Sequence, residues 1–586
     1  MTKQNQKKAK IAFLFFILLL LFLIFLGAMF YWGTTERRLP TLQKTTINSA
    51  LRGDIVSKNN YTIATSKKLY KAIVDTRNID KDKKELFLKL YSIYSGKDIK
   101  KARKRLNAHL GSVVLSYNLD SISAGRLREL VSKLYNFKVF IDYKDKKTGT
   151  TFKHGLDIVE SGEYRMYNYK DTLTPIIGYV RKYEKNSITK IYGADGIESQ
   201  YEDIVKPITD GMVNGNKDVH GYTLLDGNSI VVQKVDGLDI HLNISLKLQK
   251  MVENTLDKYK KKFQAKEIVA CVMESTTGKI LTLASSNRYN PSSIKRSEYP
   301  NLNITATKFT YEPGSVLKPI VYSLLLERKK INPYDIVKTY GGRYKIGKYT
   351  ITDDHKFEWL SAQNVIVHSS NIGMSQLAQK LDYIDYYKGL KKFGFSQRSG
   401  IDLPKEKRGS IPRMRKLRSQ IYKATTSYGY GIKVNFMQLL KAYNVFNNKG
   451  KDITPTLVNY YEDASGRKYT TRDKTDINII PLYVVKQMKK TLIKTVEEGT
   501  GKGTIIKGLQ IGGKTGTAKI AAKGRYTNLY NSSFFGFVND KTHRYTIGVL
   551  VREPSRRYYY ASLSAVPVFK STTEALIEED YLQLNN

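Results

Sequence analysis

A serine and a lysine lie three residues apart in the stretch Tyr311-Glu312-Pro313-Gly314-Ser315-Val316-Leu317-Lys318-Pro319. Residues at this spacing share one face of a helix. An apolar run over 320–326 follows, and Pro319 is tolerated in a helix only close to its start. The sequence therefore predicts a helix that begins near Ser315 and places Lys318 over the serine oxygen.

This pairing points to nucleophilic chemistry. A serine hydroxyl is a weak nucleophile at neutral pH and requires a neighbouring base. Lysine can be that base only when burial or a nearby positive charge lowers its pKa. Ser315 and Lys318 are therefore a candidate nucleophile and base, and the N-terminus of the helix would favour negative charge at the serine.

Two further short motifs follow in a fixed order, Ser369-Ser370-Asn371 and then Lys514-Thr515-Gly516-Thr517. We expect Ser369 to pass a proton, Asn371 to hold a peptide backbone, and Lys514 to bind a carboxylate and lower the pKa of Lys318. The ordered set S-x-x-K, S-x-N and K-T-G is typical of serine acyl-transferases of the penicillin-binding and β-lactamase type.

The third motif lies in a segment, 509–518, that is predicted to form a strand. Glycines on both sides of Lys514-Thr515 would let another backbone approach closely. A peptide substrate could then add as an extra strand at this edge. The backbone N–H groups of Ser315 and Thr517 are candidates for an oxyanion hole.

Each motif alone is weak, because this chain repeats all three. S-x-x-K recurs at Ser292 and Ser465, S-x-N recurs at Ser116 and Ser285, and K-T-G-T recurs over 147–150. The serines of the repeated S-x-x-K motifs are predicted to lie in polar loops, and 147–150 is predicted to be a turn. The set that begins at Ser315 is the one that combines order with suitable local structure.

The chain resembles the class B penicillin-binding proteins, and more narrowly the cell-division (FtsI-type) peptidoglycan transpeptidases, over nearly its whole length. Arg52-Gly53-Asp54-Ile55 resembles the R-G-x-I opening of their membrane-proximal domain, and 193–198 resembles its G-x-x-G-I-E element. Phe393-Gly394-Phe395 with 400–404, and then 427–432 and 524–526, favour the division type. Where the family usually has D-R-N-G, this chain has Ser57-Lys58-Asn59-Asn60, and Asn60 can still adopt a left-handed turn.

The resemblance implies a reaction and a set of roles. Ser315 would be acylated by a D-alanyl-D-alanine stem peptide, with Lys318 as its base and Ser369 and Asn371 as the second catalytic element. The acyl group would pass to an amine and cross-link the septal wall, and β-lactams would inhibit covalently. The substrate carboxylate and the oxyanion would be bound by Lys514, Thr515, Gly516 and Thr517. Expected partners are a polytopic glycosyltransferase and other divisome membrane proteins.

Composition limits the class of protein. The chain has 586 residues, enough for two or three domains, and its single cysteine, Cys271, excludes an intramolecular disulfide. Cys271 is predicted to be buried in a strand. Neither a metal nor a cofactor is expected, because the seven histidines show no H-E-x-x-H spacing. The net charge of +45 is spread along the chain, which indicates compositional bias, and no nucleic-acid partner is expected.

An uncharged run, Ile11 to Trp32, is long enough to cross a bilayer. Its length and its aromatic end favour an uncleaved anchor over a signal peptide. Lysines precede it, which predicts a cytoplasmic N-terminus and a single pass through the cytoplasmic (inner) membrane, with the catalytic domain outside.

Four segments are predicted: a cytoplasmic tail (1–10), a transmembrane anchor (11–32), a membrane-proximal pedestal domain of mixed α/β structure (33–237) and a transpeptidase domain (238–586). Helices between early and late strands predict an α+β sandwich in the last, with a central antiparallel sheet flanked by helices.

Other functions remain open at this point. A D,D-carboxypeptidase or β-lactamase would pass the acyl group to water, and the long pedestal and the anchor argue against it. The elongation-type class B relative is a further alternative, opposed by the segments after Phe393. A non-catalytic penicillin-binding scaffold of the divisome is opposed by the intact set of catalytic side chains. Isolated acids such as Glu198 and Glu202 are interpreted as solvated or structural.

Overall fold

A computed structural model of the protein describes residues 3–34, 43–144, 151–152, 155–185, 188–217, 223–227, 229–470, 477–522 and 524–584. The chain divides into two compact units, Met1–Ser49 with Thr209–Val235, and Ala50–Ile208 with Asp236–Asn586. The turn predicted over 147–150 lies outside the described residues.

The smaller unit contains the N-terminal helix, Lys3–Thr34, and a three-stranded antiparallel sheet. The sheet strands are Gln43–Asn48, Gly211–Asn216 and Ile230–Val232. The predicted anchor, Ile11 to Trp32, lies inside the helix, which is long and apolar enough to cross a membrane. The helix extends past the predicted segment at both ends, and its N-terminal extension includes Lys7, Lys8 and Lys10.

The core of the larger unit is a five-stranded sheet in which every described neighbour pairs antiparallel, as predicted. In spatial order its strands are Ile280–Ser285, Glu267–Glu274, Arg544–Arg552, Arg525–Asn539 and Gln510–Ala522. The motif Lys514 to Thr517 therefore lies on an edge strand of this sheet. Cys271 is fully buried in the second strand, and burial raises the pKa of its thiol.

Helices cover both faces of this sheet, because successive strand residues point to opposite sides. Phe534 packs with helices Leu246–Phe263 and Ala565–Glu578 on one face, where its ring lies 4.7 Å from that of Phe569. Phe535 packs on the other face against helix Phe436–Asn447, with its ring 5.2 Å from that of Phe436. The remaining helices on the second side are Thr305–Lys308, Lys318–Glu327, Ala362–Val367, Asn371–Gln379, Tyr383–Lys392, Gln420–Ser427 and Leu482–Glu497.

A second sheet joins the segment before residue 209 to the rest of the larger unit. Its strands in spatial order are Lys468–Thr470, Val458–Glu462, Asp239–Leu242, Ile55–Val56, Thr62–Asp75, Leu156–Tyr167, Ile188–Asp195 and Tyr179–Lys185, and Ser112–Leu119 pairs with Thr62–Asp75. Helices Lys84–Ser95, Ile99–Leu106 and Ser121–Asn136 belong to this region, and short helices span Gly196–Gln200 and Glu202–Val205. Asn60, in the turn between two of these strands, has φ of 61°, the left-handed conformation that the sequence predicted.

The described structure also contains four short two-stranded ladders. They are Tyr143–Lys144 with Thr151–Phe152, Ile336–Lys338 with Trp359–Ser361, Arg343–Ile346 with Tyr349–Thr352, and Lys451–Asp452 with Ile477–Asn478. The hairpin of Arg343–Ile346 and Tyr349–Thr352 ends directly before Asp353, a residue that contacts the second sequence motif.

Candidate active site

Ser315 lies in a 3-10 turn, Gly314–Leu317, and the α-helix begins at Lys318 and continues to Glu327. The sequence predicted a helix start here, and the structure places the serine one turn earlier, in the tighter 3-10 geometry. Pro319 lies in the first turn of the α-helix, where its missing N–H would have no helical partner. Ser315 is therefore half-buried in front of the helix that carries Lys318.

The turn is held by contacts that fix its backbone. Gly314 N donates to Gly429 O at 3.2 Å, and Tyr443 Oη donates to Val316 O at 2.7 Å. Gly429 has φ of 90°, and a Cβ at this position would lie 2.1 Å from Gly314 O. Glycine at 429 therefore permits the close approach that positions the turn of Ser315.

The edge strand packs directly against this turn. A Cβ added at Gly516 would lie 2.8 Å from Val316 Cγ1 and 2.9 Å from Pro313 O. The sequence predicted that glycines in this strand admit a second backbone. At Gly516 the backbone that approaches is that of the segment around the turn Gly314–Leu317. Gly516 therefore lets the strand that carries Lys514 and Thr517 lie against the turn that carries Ser315.

Lys318 is fully buried, and its Nζ donates to Ser369 O at 2.5 Å and to Ser369 Oγ at 3.2 Å. Burial lowers the pKa of Lys318 to about 7, although the carboxylates of Asp353 and Asp354 oppose this shift. A large fraction of Lys318 is therefore neutral near pH 7, and neutral lysine can accept a proton.

Ser369 adopts φ of 60°, a left-handed conformation that is uncommon for a residue other than glycine. Ser370 caps the helix Asn371–Gln379, since its Oγ accepts from Gly373 N at 2.8 Å. Asn371 Nδ2 donates to Thr352 O at 3.0 Å. The first two motifs therefore meet in one place, with Ser369 in contact with Lys318 and Asn371 at the start of the following helix.

The sequence analysis missed Asp353, which contacts the second motif three times. Asp353 Oδ2 accepts from Ser370 Oγ, and Oδ1 accepts from Asn371 N and from Ile372 N at 3.1 Å. No sequence signal marked this aspartate, because its contacts depend on how the preceding hairpin packs.

Lys514 is fully buried on the edge strand, and its Nζ donates to Thr515 O and Thr515 Oγ1, each at 3.2 Å. Thr515 Oγ1 also lies 2.6 Å from Thr500 Oγ1. Burial lowers the pKa of Lys514 well below its usual value, and the positive charge of Lys318 lowers it further. The third motif is thus electrostatically coupled to the first. The sequence predicted that Lys514 would lower the pKa of Lys318. Burial is the largest cause of the low pKa of Lys318, and the repulsion between the two buried lysines acts on both of them.

The outer end of the edge strand is flanked by tyrosines that sequence reasoning did not connect to the site. Lys519 N donates to Tyr430 Oη at 3.3 Å, and the rings of Tyr430 and Tyr526 meet edge to face at 5.4 Å. Tyr526 Oη donates to Glu312 Oε1 at 3.4 Å, and Thr517 Oγ1 accepts from Ala561 N at 3.1 Å. Tyr430 and Tyr526 therefore form an aromatic flank beside the turn that carries Ser315.

The repeated motifs lie in different surroundings from those of Ser315 and Lys318. Ser292 and Ser465 are exposed, and so are the lysines three residues after them, Lys295 and Lys468. Neither lysine is buried, whereas Lys318 is fully buried. Ser116 donates to Asn118 within a strand of the second sheet.

Two protein families match this chain. Residues 268–574 match the penicillin binding protein transpeptidase domain, and residues 47–242 match the penicillin-binding protein dimerisation domain. The first match covers the central sheet and the three motifs.

Curated relatives and solved structures agree with these matches. The chain is 28% identical over 389 residues to the probable peptidoglycan D,D-transpeptidase PenA of Neisseria flavescens, which covers 64% of this chain and 92% of the relative. It is 27% identical over 554 residues to the peptidoglycan D,D-transpeptidase FtsI of Buchnera aphidicola subsp. Baizongia pistaciae, which covers 91% of this chain and 88% of the relative. Stage V sporulation protein D of Bacillus subtilis is 30% identical over 390 residues, with 64% of this chain and 59% of the relative covered.

The crystal structure of penicillin binding protein 2X from Streptococcus thermophilus superposes with a TM-score of 0.75 at 21% identity, and it covers 92% of this chain and 82% of that protein. A peptidoglycan synthetase from Bifidobacterium adolescentis gives 0.70 at 21% identity, with 93% and 98% covered. The fold is thus shared along nearly the whole chain. The protein belongs to the penicillin-binding protein transpeptidase family, as a class B member in which a dimerisation domain precedes the transpeptidase domain.

Proposed function

We propose that this protein is a peptidoglycan D,D-transpeptidase that works through an acyl-enzyme at Ser315. The observation that carries the proposal is the fully buried Lys318, with a pKa of about 7, whose helix begins directly after the serine's turn and whose Nζ contacts Ser369. The relatives named as peptidoglycan D,D-transpeptidases support the choice of substrate.

In the first step, neutral Lys318 removes the proton from Ser315 Oγ, which attacks the carbonyl of the penultimate D-alanine. The N–H groups of Ser315 and Thr517 donate to the oxygen that becomes negative in the transition state, and one such donor is worth roughly 3–4 kcal/mol of barrier. Ser369 then carries the proton from Lys318 to the amine of the leaving D-alanine. The C–N bond breaks, and the acyl group stays on Ser315.

In the second step, an amine of a neighbouring stem peptide attacks the ester carbonyl and loses its proton toward Ser369 and Lys318. The peptide bond forms, and Ser315 regains its proton. Transfer to water in place of the amine would make the enzyme a carboxypeptidase. The membrane-proximal domain and the anchor support the cross-linking reaction, because they suit an enzyme that works on an insoluble wall beside the membrane.

The K-T-G strand provides the binding site for the donor peptide. Lys514 and Thr515 lie on the edge strand, where a peptide can extend the sheet, and Lys514 is placed to bind the terminal carboxylate. Gly516 lets the strand lie against the nucleophile turn, and Asn371 offers its side-chain amide to the peptide backbone.

The proposed segments are those of the sequence prediction: a tail (1–10), an anchor (11–32), a pedestal (33–237) and a transpeptidase domain (238–586). The N-terminus lies in the cytoplasm and the catalytic domain on the far side of the membrane. A polytopic glycosyltransferase and other divisome membrane proteins are the proposed partners.

The proposed place of action is the septum, supported by the division-type segments at 393–404 and 427–432. A fluorescent fusion of the active protein is expected to concentrate at midcell in dividing cells. An even distribution along the side wall, with cells that lose their shape on depletion, would favour the elongation-type alternative instead.

Ser315→Ala is expected to abolish covalent labelling by a fluorescent penicillin, because the ester cannot form without the hydroxyl. Wild-type protein and the variant are compared on a denaturing gel after labelling of the intact membrane-bound chain. Ser292→Ala and Ser465→Ala are matched controls, since each removes a serine from a repeated S-x-x-K motif, and both should label like wild type. A label that persists in Ser315→Ala would refute the assignment, and no label on folded wild-type protein would favour the scaffold alternative.

A further inference from the structure

Exposed aromatic side chains surround Lys338 in the ladder of Ile336–Lys338 with Trp359–Ser361. Lys338 and Trp359 are cross-strand partners, and Lys338 Nζ lies 5.1 Å from the centre of the Trp359 ring. The same Nζ lies 5.2 Å from the centre of the Tyr340 ring. Trp359 is 53% exposed and Tyr340 is 40% exposed. We name these three side chains, Lys338, Tyr340 and Trp359, the aromatic platform.

The aromatic platform is supported by the helix that follows the second motif. The Tyr340 ring stacks on that of Tyr344, with 4.9 Å between the ring centres and 18° between the ring planes. Tyr344 in turn packs on a buried cluster that includes Ile372, in the first turn of that helix. Gln376, one turn further along the same helix, donates from its Nε2 to Lys338 O. The aromatic platform and the second motif therefore share one support.

The backbone that carries Tyr340 is held in an uncommon conformation. Tyr340 has φ of 50°, a left-handed value that a bulky residue adopts only where its surroundings enforce it. Thr339 N donates to Glu358 O at 2.8 Å, and Gly341 N donates to Phe357 O at 3.0 Å. These hydrogen bonds, on both sides of Tyr340, fix the backbone that presents its exposed ring.

The aromatic platform has the chemistry of a carbohydrate-binding surface. Exposed aromatic patches mark interaction sites, and Trp and Tyr provide rigid contact area at low entropic cost. Sugars pack the C–H faces of their rings on aromatic rings, and their hydroxyl and N-acetyl groups need hydrogen-bond partners. Lys338 Nζ is a donor, and the exposed carboxylate of Glu358, 3.9 Å away, is an acceptor. Because Lys338 Nζ is close to both rings, the ring centres of Trp359 and Tyr340 are no more than about 10 Å apart, the scale of a disaccharide.

We infer that the aromatic platform binds the β-1,4-linked amino-sugar strand of the wall polymer and holds this strand while the site at Ser315 acts on the stem peptide. The inference rests on the proposed function, because a peptidoglycan stem peptide is attached to such a strand. A sugar strand bound to the platform is fixed relative to Ser369 and Asn371, since the helix that follows them supports the platform.

Trp359 provides its own reporter of this binding. The chain has two tryptophans, and the other, Trp32, lies in the N-terminal helix. In the full chain with Trp32→Phe, reconstituted in phosphatidylcholine vesicles, the tryptophan emission therefore comes from Trp359 alone. N-acetylchitohexaose, a β-1,4-linked hexamer of N-acetylglucosamine without peptide, is expected to change this emission saturably, with a Kd of about 0.1–1 mM. Maltohexaose should bind more weakly, because its α-1,4 linkages curve the chain away from a flat surface.

Substitutions separate the aromatic platform from the rest of the protein, with binding measured by saturation transfer to the N-acetyl methyl protons of the hexamer. Trp359→Ala and Tyr340→Ala should each weaken binding by about 10-fold or more. Trp359→Phe keeps an aromatic face and should bind within about threefold of wild type, which separates loss of the ring from misfolding. Tyr299→Ala is the matched control, because it removes a ring that is 59% exposed from a different segment, and it should bind like wild type.

Three results would overturn the inference. One is an emission that does not respond to the hexamer up to about 10 mM, and another is a Trp359→Ala affinity within about twofold of wild type. The third is an emission that follows the anionic lipid content of the vesicles and ignores the hexamer, which would assign the aromatic platform to the membrane surface. Failure of the proposed function is recognised separately, because Ser315→Ala would then still be labelled by penicillin, whereas binding of the hexamer requires no reaction at Ser315.

Discussion

Lys318→Met is expected to stop acylation of Ser315 and, at the same time, to raise the midpoint of thermal unfolding. Methionine has a similar length and no charge, so it fits the buried position but cannot accept a proton. Loss of a general base typically lowers a rate by about 10²- to 10⁴-fold. Acylation by a fluorescent penicillin should fall at least this far at pH 8, where wild-type Lys318 is largely neutral.

The stability gain follows from the pKa of the buried lysine. Its folded-state pKa is about 7, against an ordinary value of 10.5. Between these values the unfolded chain binds a proton that the folded chain does not, so stability rises with pH across this window. Below pH 7 the lysine is protonated in both states, and burial of its charge lowers the free energy of unfolding by the full amount, on the order of 5 kcal/mol. Loss of the hydrogen bonds to Ser369 offsets part of the gain, at about 1 kcal/mol each.

The two effects are measured on the same preparations, by labelling kinetics and by thermal unfolding at pH 6 and pH 10. The stability advantage of Lys318→Met should be larger at pH 6 than at pH 10, because the wild-type penalty fades as the unfolded lysine loses its proton. Lys330→Met, an exposed lysine just after the same helix, should change neither quantity. A Lys318→Met variant that is acylated normally would exclude Lys318 as the base.

The sequence could predict the contact between the first two motifs, because their order and spacing imply a shared site. Lys318 does contact Ser369, and Lys514 does lie on an edge strand. The antiparallel central sheet could also be predicted from the sequence, since its late strands contain apolar stretches such as 547–551 within Arg544–Arg552. These features depend on local pattern and on motif order, both of which a single sequence contains.

Other parts of the site depend on packing between segments that are distant in the sequence. Glycine is needed at 429 because any Cβ at this position would collide with Gly314 O. The residues around 429 contain no pattern that predicts this contact. Asp353 is one acidic residue among 53, and only the packing of its hairpin brings it to Ser370. The 3-10 geometry at Ser315 is likewise fixed by contacts with Gly429 and Tyr443.

The membrane-proximal region also contains a contact between distant segments that the sequence analysis did not predict. This contact is expected to have a large effect on the stability of the protein. The R-G-x-I and G-x-x-G-I-E elements were recognised separately, and Glu198 was interpreted as solvated or structural. The structure joins them, because Arg52 Nε donates to Glu198 Oε2 at 2.7 Å and both side chains are fully buried. Arg52 also donates to Glu202 Oε2 and to the backbone oxygen of Glu198, each at 2.7 Å. Glu198 is therefore structural and not solvated.

Arg52→Leu is accordingly expected to destabilise the protein by about 3–5 kcal/mol, the usual effect of removing one partner from a buried ion pair. Burial raises the pKa of Glu198, but Arg165 and Arg52 overcome this effect and hold it below its usual value. In the variant the buried carboxylate keeps one ion pair, with Arg165 Nε at 2.8 Å from Glu198 Oε1, and the hydrogen bond from Tyr167 Oη at 3.3 Å. The pKa of Glu198 should then rise towards its ordinary value, so that acidification removes less stability from the variant than from wild type.

Thermal unfolding of Arg52→Leu measures this effect, and penicillin labelling at low temperature tests whether the folded fraction keeps a working site. Arg103→Leu is the matched control, because Arg103 makes a two-pronged ion pair with Glu85 whose side chains are 41% and 57% exposed. Water already solvates that pair, so its removal should shift the unfolding midpoint far less. Equal shifts in the two variants would mean that burial of the Arg52–Glu198 pair contributes nothing beyond a surface contact. If Arg52→Leu lowers the unfolding midpoint strongly and its folded fraction is labelled normally, the Arg52–Glu198 network stabilises the membrane-proximal region and has no part in the chemistry at Ser315.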